Sequence, residues 1–404
     1  MKKNDWYTYL MRDVLERIEV PVNVEPDKEY VQIGIRSHGK GLFYKEPVLG
    51  KALGNKQVFW IQPNCFILNV VFAWEQAITK TTENEIGMIG SHRFPMYRPK
   101  NDLVDIDYLI YYFLTKRGTD ILEAASPGGA GRNRTLGQER FLKSKITLPT
   151  LPEQQKIAAI LSTQDKVIEL KEKLLVQKQQ QKKYLMQQLL TGKKRLPGFG
   201  GEWKTIHLNE ISCRIETKNT VGNSNVLTIS AQYGLINQTE FFDKVIASDN
   251  KSNYYLLSKD EFAYNRSYSK GYPYGTIKRL KRYVQGVVSP LYICFAVNKK
   301  LASLDFLEQY FEASIINREI QSIVQEGARN HGMLNVAVDD FFRIKITMPE
   351  IEEQKEIAKI LSTADHEIDL LQKSIEAEKQ KKKALMQLLL MGKARVEDEQ
   401  KQDG

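Results

Sequence analysis

Residues Lys145–Lys193 return, without a gap, as Lys345–Lys393, and more than half of the positions are identical. A duplication at so long a period requires two copies of one structural unit in a single chain. The matched runs are Lys145-Ile-Thr-Leu-Pro149 with Lys345-Ile-Thr-Met-Pro349, and Glu153-Gln154 with Glu353-Gln354. Ile160-Leu-Ser-Thr163 pairs with Ile360-Leu-Ser-Thr363, and Leu185-Met-Gln187 with Leu385-Met-Gln387, each ending followed by Gly-Lys. Each copy reads as one long helix, because a proline (Pro149, Pro349) precedes it and a glycine (Gly192, Gly392) follows it. In the second copy, apolar residues step by four and three through Ile357, Leu361, Ala364, Ile368, Leu371 and Ile375. The steps are interrupted at Glu378 and Lys382 and resume at Leu385 and Leu389. The first copy is less regular: Ile157, Leu161, Ile168, Leu175, Leu185 and Leu189 carry the seam, while Gln164, Lys171, Lys178 and Lys182 occupy the steps between. A single apolar stripe must be buried, and each helix offers the other a matching one. An intramolecular two-helix coiled coil of roughly 57 Å is therefore expected. The alternative is that each stripe packs on its own globular domain.

The regions ahead of the helices are diverged copies. Trp6-Tyr-Thr matches Trp203-Lys-Thr, Cys65-Phe-Ile-Leu-Asn69 matches Glu261-Phe-Ala-Tyr-Asn265, and Gly87-Met-Ile-Gly-Ser91 matches Gly286-Val-Val-Ser289. Asp107-Tyr-Leu matches Asp305-Phe-Leu, and Gly131-Arg-Asn133 matches Ala328-Arg-Asn330. The expected organisation is a mixed α and β domain over 1–148, a helix over 149–195, a second such domain over 196–348, a second helix over 349–395 and a polar tail over 396–404. The turn-rich connector Lys193-Lys-Arg-Leu-Pro-Gly-Phe-Gly-Gly201 marks the central boundary.

The net charge of +10 suggests a polyanionic partner. Two acid-free runs carry much of it. One holds Lys173, Lys178, Lys182, Lys183, Lys193, Lys194 and Arg195; the other holds Lys379, Lys381, Lys382, Lys383, Lys393 and Arg395. No apolar run reaches the length of a membrane span and the start lacks the core of a signal peptide, so a cytoplasmic protein is expected. Cys65, Cys213 and Cys294 form no disulfide or metal pattern and are expected to be buried free thiols. There is no phosphate loop, no dinucleotide fingerprint, no amino-methyltransferase motif, and no ligand spacing among the five histidines. The acidic turn Pro26-Asp27-Lys28-Glu29 reads as a surface loop.

The paired Pro-x-x-x-Glu-Gln starts, the Ile-Leu-Ser-Thr-x-Asp runs, the Leu-Met-Gln-x-Leu-Leu-x-Gly-Lys endings, Gly286-Val-Val-Ser-Pro-Leu-Tyr292 and the Leu196-Pro-Gly-Phe199 re-entry resemble the specificity subunits of type I restriction–modification systems. The resemblance spans essentially the whole chain. It implies an α+β, pseudo-twofold fold in which two target-recognition domains are separated by two long helices paired as an antiparallel coiled coil. It also implies a non-catalytic reader of a bipartite double-stranded DNA site that docks two methyltransferase subunits and restriction/translocase subunits. This chain would bind no cofactor, while the partner subunits use S-adenosylmethionine, ATP and Mg. Gly-Ser-His-Arg (90–93) stands where the second domain has Val-Ser-Pro-Leu (288–291), so a different loop is expected there. A pseudo-twofold protein suits the pseudo-twofold of duplex DNA independently of any resemblance. A duplicated scaffold that binds only proteins, and an enzyme with a duplicated active site, are the alternatives.

Bases interleaved with aromatics and glycines suit loops that track phosphates and reach base edges. In the second domain the candidates are Arg266, Tyr268, Lys270, Tyr272, Tyr274, Lys278, Arg279, Lys281 and Arg282, then Arg329, Asn330 and His331. In the first they are Arg36, His38, Lys40, His92, Arg93, Arg98, Arg132 and Arg134.

Overall fold

The structure is a computed structural model that describes residues 6–54, 56–128, 134–230, 233–241, 251–268, 271–325 and 333–396. It divides into two compact units, 1–172 with 374–404, and 173–373. Each unit takes one globular region together with the start of one long helix and the end of the other.

The two units are built to one plan. In the first, a four-stranded antiparallel sheet has the order Leu15–Ile18, Met96–Pro99, Phe66–Leu68, Ile78–Lys80; in the second the order is Ser212–Arg214, Ile293–Val297, Phe262–Asn265, Thr276–Arg279. A further pair closes each unit by bringing its first strand against its last, Tyr7–Leu10 with Lys145–Leu148 and Lys204–His207 with Lys345–Met348. Even a cross-strand hydroxyl contact repeats: Thr8 with Thr147 at 3.0 Å, Thr205 with Thr347 at 2.9 Å. Aromatic residues fill both cores at corresponding places. Phe66, Phe113 and Phe141 cluster in the first, and Phe262, Phe295, Phe311 and Phe341 in the second, through stacked, tilted and edge-on ring contacts.

The long helices run Leu151–Leu189 and Ile351–Leu389. Pro152 lies in the first turn of the first helix, where its missing N–H costs no hydrogen bond. The repeated Glu-Gln explains itself at these starts. Gln154, fully buried, accepts from the amide of Asp105 at 2.9 Å and donates to the carbonyls of Leu103 and Pro149. Gln354 accepts from Ser303 N–H at 2.8 Å and donates to Pro349 O. Asp105 and Ser303 are the N-caps of the helices Ile106–Phe113 and Leu304–Glu312, so each glutamine ties a long helix to the cap of its neighbour. The preceding glutamates, Glu153 and Glu353, take two-pronged bonds of 2.7–2.8 Å from Arg395 and Arg195 respectively.

The repeated endings are equally specific. Leu389 and Leu390 are buried in the core of the first unit, and Met186, Leu189 and Leu190 in that of the second. Each core therefore contains the start of the helix that follows it and the end of the other. Gly192 and Gly392 turn the chain at φ +68° and +66°, and an added Cβ would meet the ring of Trp203 at 3.3 Å or of Trp6 at 3.2 Å. Both the backbone and the tryptophan require glycine there.

Between these ends the helices pair antiparallel within each unit. In the first, Gln164 Nε2 and Lys171 Nζ both donate to the Glu378 carboxylate at 2.7 Å, Lys379 meets Glu172 at 2.6 Å and Lys382 meets Asp165 at 2.5 Å. In the second, Lys178 meets Glu367 at 2.7 Å and Lys182 meets Asp365 at 2.5 Å. The seam keeps its four–three step throughout. Ile157, Leu161, Gln164 and Ile168 are buried, Lys171, Leu175, Lys178, Lys182 and Leu185 half-buried, and Leu189 buried again. On the second helix Ile357, Leu361, Ile375 and Leu389 are buried, and Ile368, Leu371, Glu378, Lys382 and Leu385 half-buried. The irregular polar steps of the sequence are thus cross-helix hydrogen-bonding positions. Both expectations for the stripes hold in part, because their ends pack on the globular cores and their middles on each other.

Hydrogen bonds from Lys171 and Gln164 hold the Glu378 carboxyl below its ordinary value of 4.5. A carboxylate depressed in the folded state contributes stability above its unfolded pKa and loses it as pH falls through the folded one. The difference in melting temperature between the parent and Glu378→Gln is therefore expected to be full at neutral pH and to shrink as pH falls below the ordinary carboxylate value of 4.5. Melting curves from neutral to acid pH check this; a difference that stays constant or grows on acidification would contradict it.

Candidate nucleic-acid interface

Half of the densest basic cluster of the sequence faces inward. The strand Thr276–Arg279 lies beside the helix Leu304–Glu312, whose Asp305, Glu308 and Glu312 face it. Arg279 is 7% exposed and reaches Asp305 at 2.6 Å and Glu308 at 3.0 Å. Lys278, 12% exposed, bonds Glu312, as does the Tyr272 hydroxyl at 3.1 Å. Burial, reinforced by Glu312, pushes the Tyr272 hydroxyl up to about 12, so it stays a donor. Arg266 is a backbone clamp, giving its guanidinium to Leu291 O and Val336 O. Tyr274 packs on the core and its carbonyl accepts from Tyr264. Arg279, Lys278 and Tyr272, read from the sequence as candidate phosphate contacts, thus give polar groups to acids 26–40 residues away.

What this region leaves outward is Tyr268, 63% exposed, with Lys281 and Arg282, whose side chains are 58% and 59% exposed. Each of these bases keeps one loose acidic neighbour, Glu308 at 3.1 Å and Glu240 at 3.9 Å. Lys270, Arg329, Asn330 and His331 lie outside the described residues, as do Arg132 and the tail from 397 onward.

In the first unit, Arg36, His38 and Lys40 sit at the tip of the hairpin Ile33–Ile35/Leu42–Tyr44 and are exposed. The tip is docked: His38 N–H and Gly39 N–H donate to Glu75 O and Gln76 O at 2.8 and 2.9 Å, and Arg36 lies over the Phe43 ring at 5.2 Å. Arg134 is half-buried with its guanidinium 5.4 Å from the Trp74 ring centre. His92, Arg93 and Arg98 are exposed, the first two in the turn after Ile89–Ser91 and the third on the strand Met96–Pro99.

That turn corrects another expectation. Despite Ser-His-Arg against Ser-Pro-Leu, both units make the same turn. Phe94 N–H donates to Ser91 O at 2.9 Å and Tyr292 N–H to Ser289 O at 3.0 Å, while each serine hydroxyl accepts at 3.3 Å from the residue two places on. The serine and the backbone set the loop, and the two intervening side chains are free to differ.

The hairpin Leu227–Ser230/Gly234–Asn237 occupies in the second unit the place of the first unit's hairpin. Its tip carries Tyr233, 56% exposed, which the sequence reading missed because Tyr233 has no base beside it. Position within the repeat, rather than composition, is the signal that finds it. The cysteines also need correction: Cys65 and Cys294 are buried, but Cys213 is exposed. Burial pushes the Cys294 thiol up to about 12 and raises that of Cys65, so neither is a ready nucleophile. Among the described residues no group of His, Cys, Asp and Glu could hold a metal ion, and no helix is long and apolar enough to cross a membrane.

The type I restriction modification DNA specificity domain matches this chain twice, over residues 24–180 and 201–379. The MjaVIII specificity subunit of a type I restriction enzyme from Methanocaldococcus jannaschii is 25% identical over 328 residues, 74% of this chain and 72% of that protein. The crystal structure of the HsdS subunit from Thermoanaerobacter tengcongensis shares the fold, with a TM-score of 0.56 at 17% identity over 97% of this chain and 98% of that one. The S subunit of a type I system from M. genitalium does so at 0.55 and 14%, over 96% and 97%.

Proposed function

The chain belongs to the type I restriction modification DNA specificity family, whose members are non-catalytic subunits, and we propose that it reads a split DNA site, one half-site with each unit. The observation that carries this reading is the contrast between frame and surface. The sheet order, the cap-holding glutamines, the arginine–glutamate clamps and the Ser91/Ser289 turn are common to both units, whereas the exposed turn residues differ: His92 and Arg93 in one, Pro290 and Leu291 in the other. One frame carrying two different surfaces suits the reading of two different half-sites. The paired helices act as the spacer between half-sites and, with the duplicated helix ends, as the docking frame for two methyltransferase subunits. Restriction/translocase subunits complete the assembly, which works in the cytoplasm. The partner subunits supply the S-adenosylmethionine, ATP and Mg chemistry.

Exposed bases that meet phosphates make binding salt-dependent, each contact adding roughly 1 to the slope of log affinity on log salt. Arg93→Ala with Arg98→Ala is expected to lower that slope by roughly 1–2. Arg279→Ala is expected to lower the melting temperature and leave the slope alone. Titrations of labelled duplex at several salt concentrations check both. A slope unmoved by the first pair but reduced by the second would overturn this assignment of the interface.

A further inference from the structure

The helix pair carries two kinds of polar contact, and they differ in one respect. Those at the ends exist in duplicate: Arg195 with Glu353 and Arg395 with Glu153, Lys182 with Asp365 and Lys382 with Asp165. Because both copies hold the same residues, these contacts would form equally well between two first helices or between two second helices. The contacts nearer the middle are not duplicated. Lys171 and Gln164 bind Glu378, and Lys178 binds Glu367. The repeat puts Lys178 where the second copy has Glu378, and Val167 where it has Glu367.

Two first helices from separate copies, paired in the observed register, would therefore set Lys171 against Lys178. Two second helices would set Glu378 against Glu367. The first with the second is the combination in which every one of these charges meets its opposite. Mixed copies are a real hazard for a chain whose helices are so alike, since the end clamps and the apolar seam tolerate any pairing. Like charges at facing positions are the usual means by which coiled coils reject wrong partners.

We infer that Lys171, Lys178, Glu367 and Glu378 are the residues that decide which helix pairs with which, holding a first helix to a second and rejecting first-with-first and second-with-second pairing between two copies. The end clamps set strength and register; the central four set partner choice. This goes beyond the DNA-reading proposal and does not depend on it.

The test is a charge-reversal cycle in the full chain, read by melting temperature and by solution mass across a concentration series. Lys171→Glu places a carboxylate against Glu378 and also creates an attraction to Lys178 of a second copy. Glu378→Lys does the same toward Glu367 of a second copy. Each single variant is expected to melt lower, by roughly 2–4 °C, and to populate a dimer that the parent does not at equal concentration. The double variant, with the charges exchanged, is expected to recover the melting temperature but to keep the dimer, because each exchanged charge still attracts Lys178 or Glu367 of a second copy. Glu378→Gln, which keeps an acceptor for Lys171 and Gln164 but attracts nothing on a second copy, is expected to melt lower without gaining mass, and so separates lost stability from lost choice. All these differences should shrink in high salt. A double variant no more stable than the two single effects added together, or single variants whose mass stays that of the parent, would overturn the inference.

Discussion

Inserting one heptad after Leu175 and one after Ile375 is expected to give a protein that recognises the same two half-sites with two to four more unspecified base pairs between them. A heptad keeps each four–three seam in phase, so the apolar positions on either side of the insertion remain on one face. The insertion points suit the pairing, since Lys171, one turn before Leu175, donates to Ser374, the neighbour of Ile375. Both helices are thus lengthened at nearly the same level. Seven residues add about 10 Å of helix at ~1.5 Å each, which is about three base pairs at ~3.4 Å per pair. The twist of DNA accompanies its length, so reduced activity alone is an acceptable outcome. An active double-insertion protein that methylates the original motif at its original spacing would show that the helices do not set the distance.

The second large effect is expected where the chain's order and its packing disagree. Leu389 and Leu390 end the helix that follows the second globular region, yet they lie in the core of the first unit at 6% and 1% exposure. Leu189 and Leu190 end the helix that follows the first region and lie in the core of the second, at 3% and 1%. Leucine-to-alanine changes at such sites cost about 2–5 kcal/mol each, through lost burial and the cavity left behind. Two together are a large share of the ~5–15 kcal/mol that holds a typical domain. Leu389→Ala with Leu390→Ala is expected to loosen the first unit, and Leu189→Ala with Leu190→Ala the second. Hydrogen exchange at the sheet strands Phe66–Leu68 and Phe262–Asn265 separates the two. Faster exchange confined to Phe262–Asn265 in the Leu389/Leu390 variant would contradict the crossed packing.

The frame was legible in the sequence because its determinants are local and occur twice. A proline, a Glu-Gln pair, a four–three stripe and a terminal glycine each specify a feature within a turn or two, and repetition separates them from chance. The candidate interface was legible only in part. Arg279 and Lys278 read as a basic loop because charge is visible along the chain, while the acids that neutralise them, Asp305, Glu308 and Glu312, come from a helix 26–34 residues further on. The alternation of a strand and the spacing of a helix bring those groups together, and neither is apparent from the run of bases itself. The lysines of the long helices were visible only as two acid-free runs: Lys178, Lys182, Lys379 and Lys382 hold one helix to the other through acids that lie 183 or more residues away in the chain, beyond any local pattern. The turn at 91–94 erred in the opposite sense, since different side chains there implied a different loop, whereas the serine and the backbone decide its shape.

This chain alone is expected to dictate which split sequence its assembly marks. Methylated bases mapped across the host genome, with the gene for this chain intact and then deleted, show whether it does. The expected result is a motif of two short specified blocks separated by a fixed number of unspecified bases, present with the gene and lost without it. A methylation pattern unchanged by the deletion, or a lost motif that is one contiguous block, would contradict it.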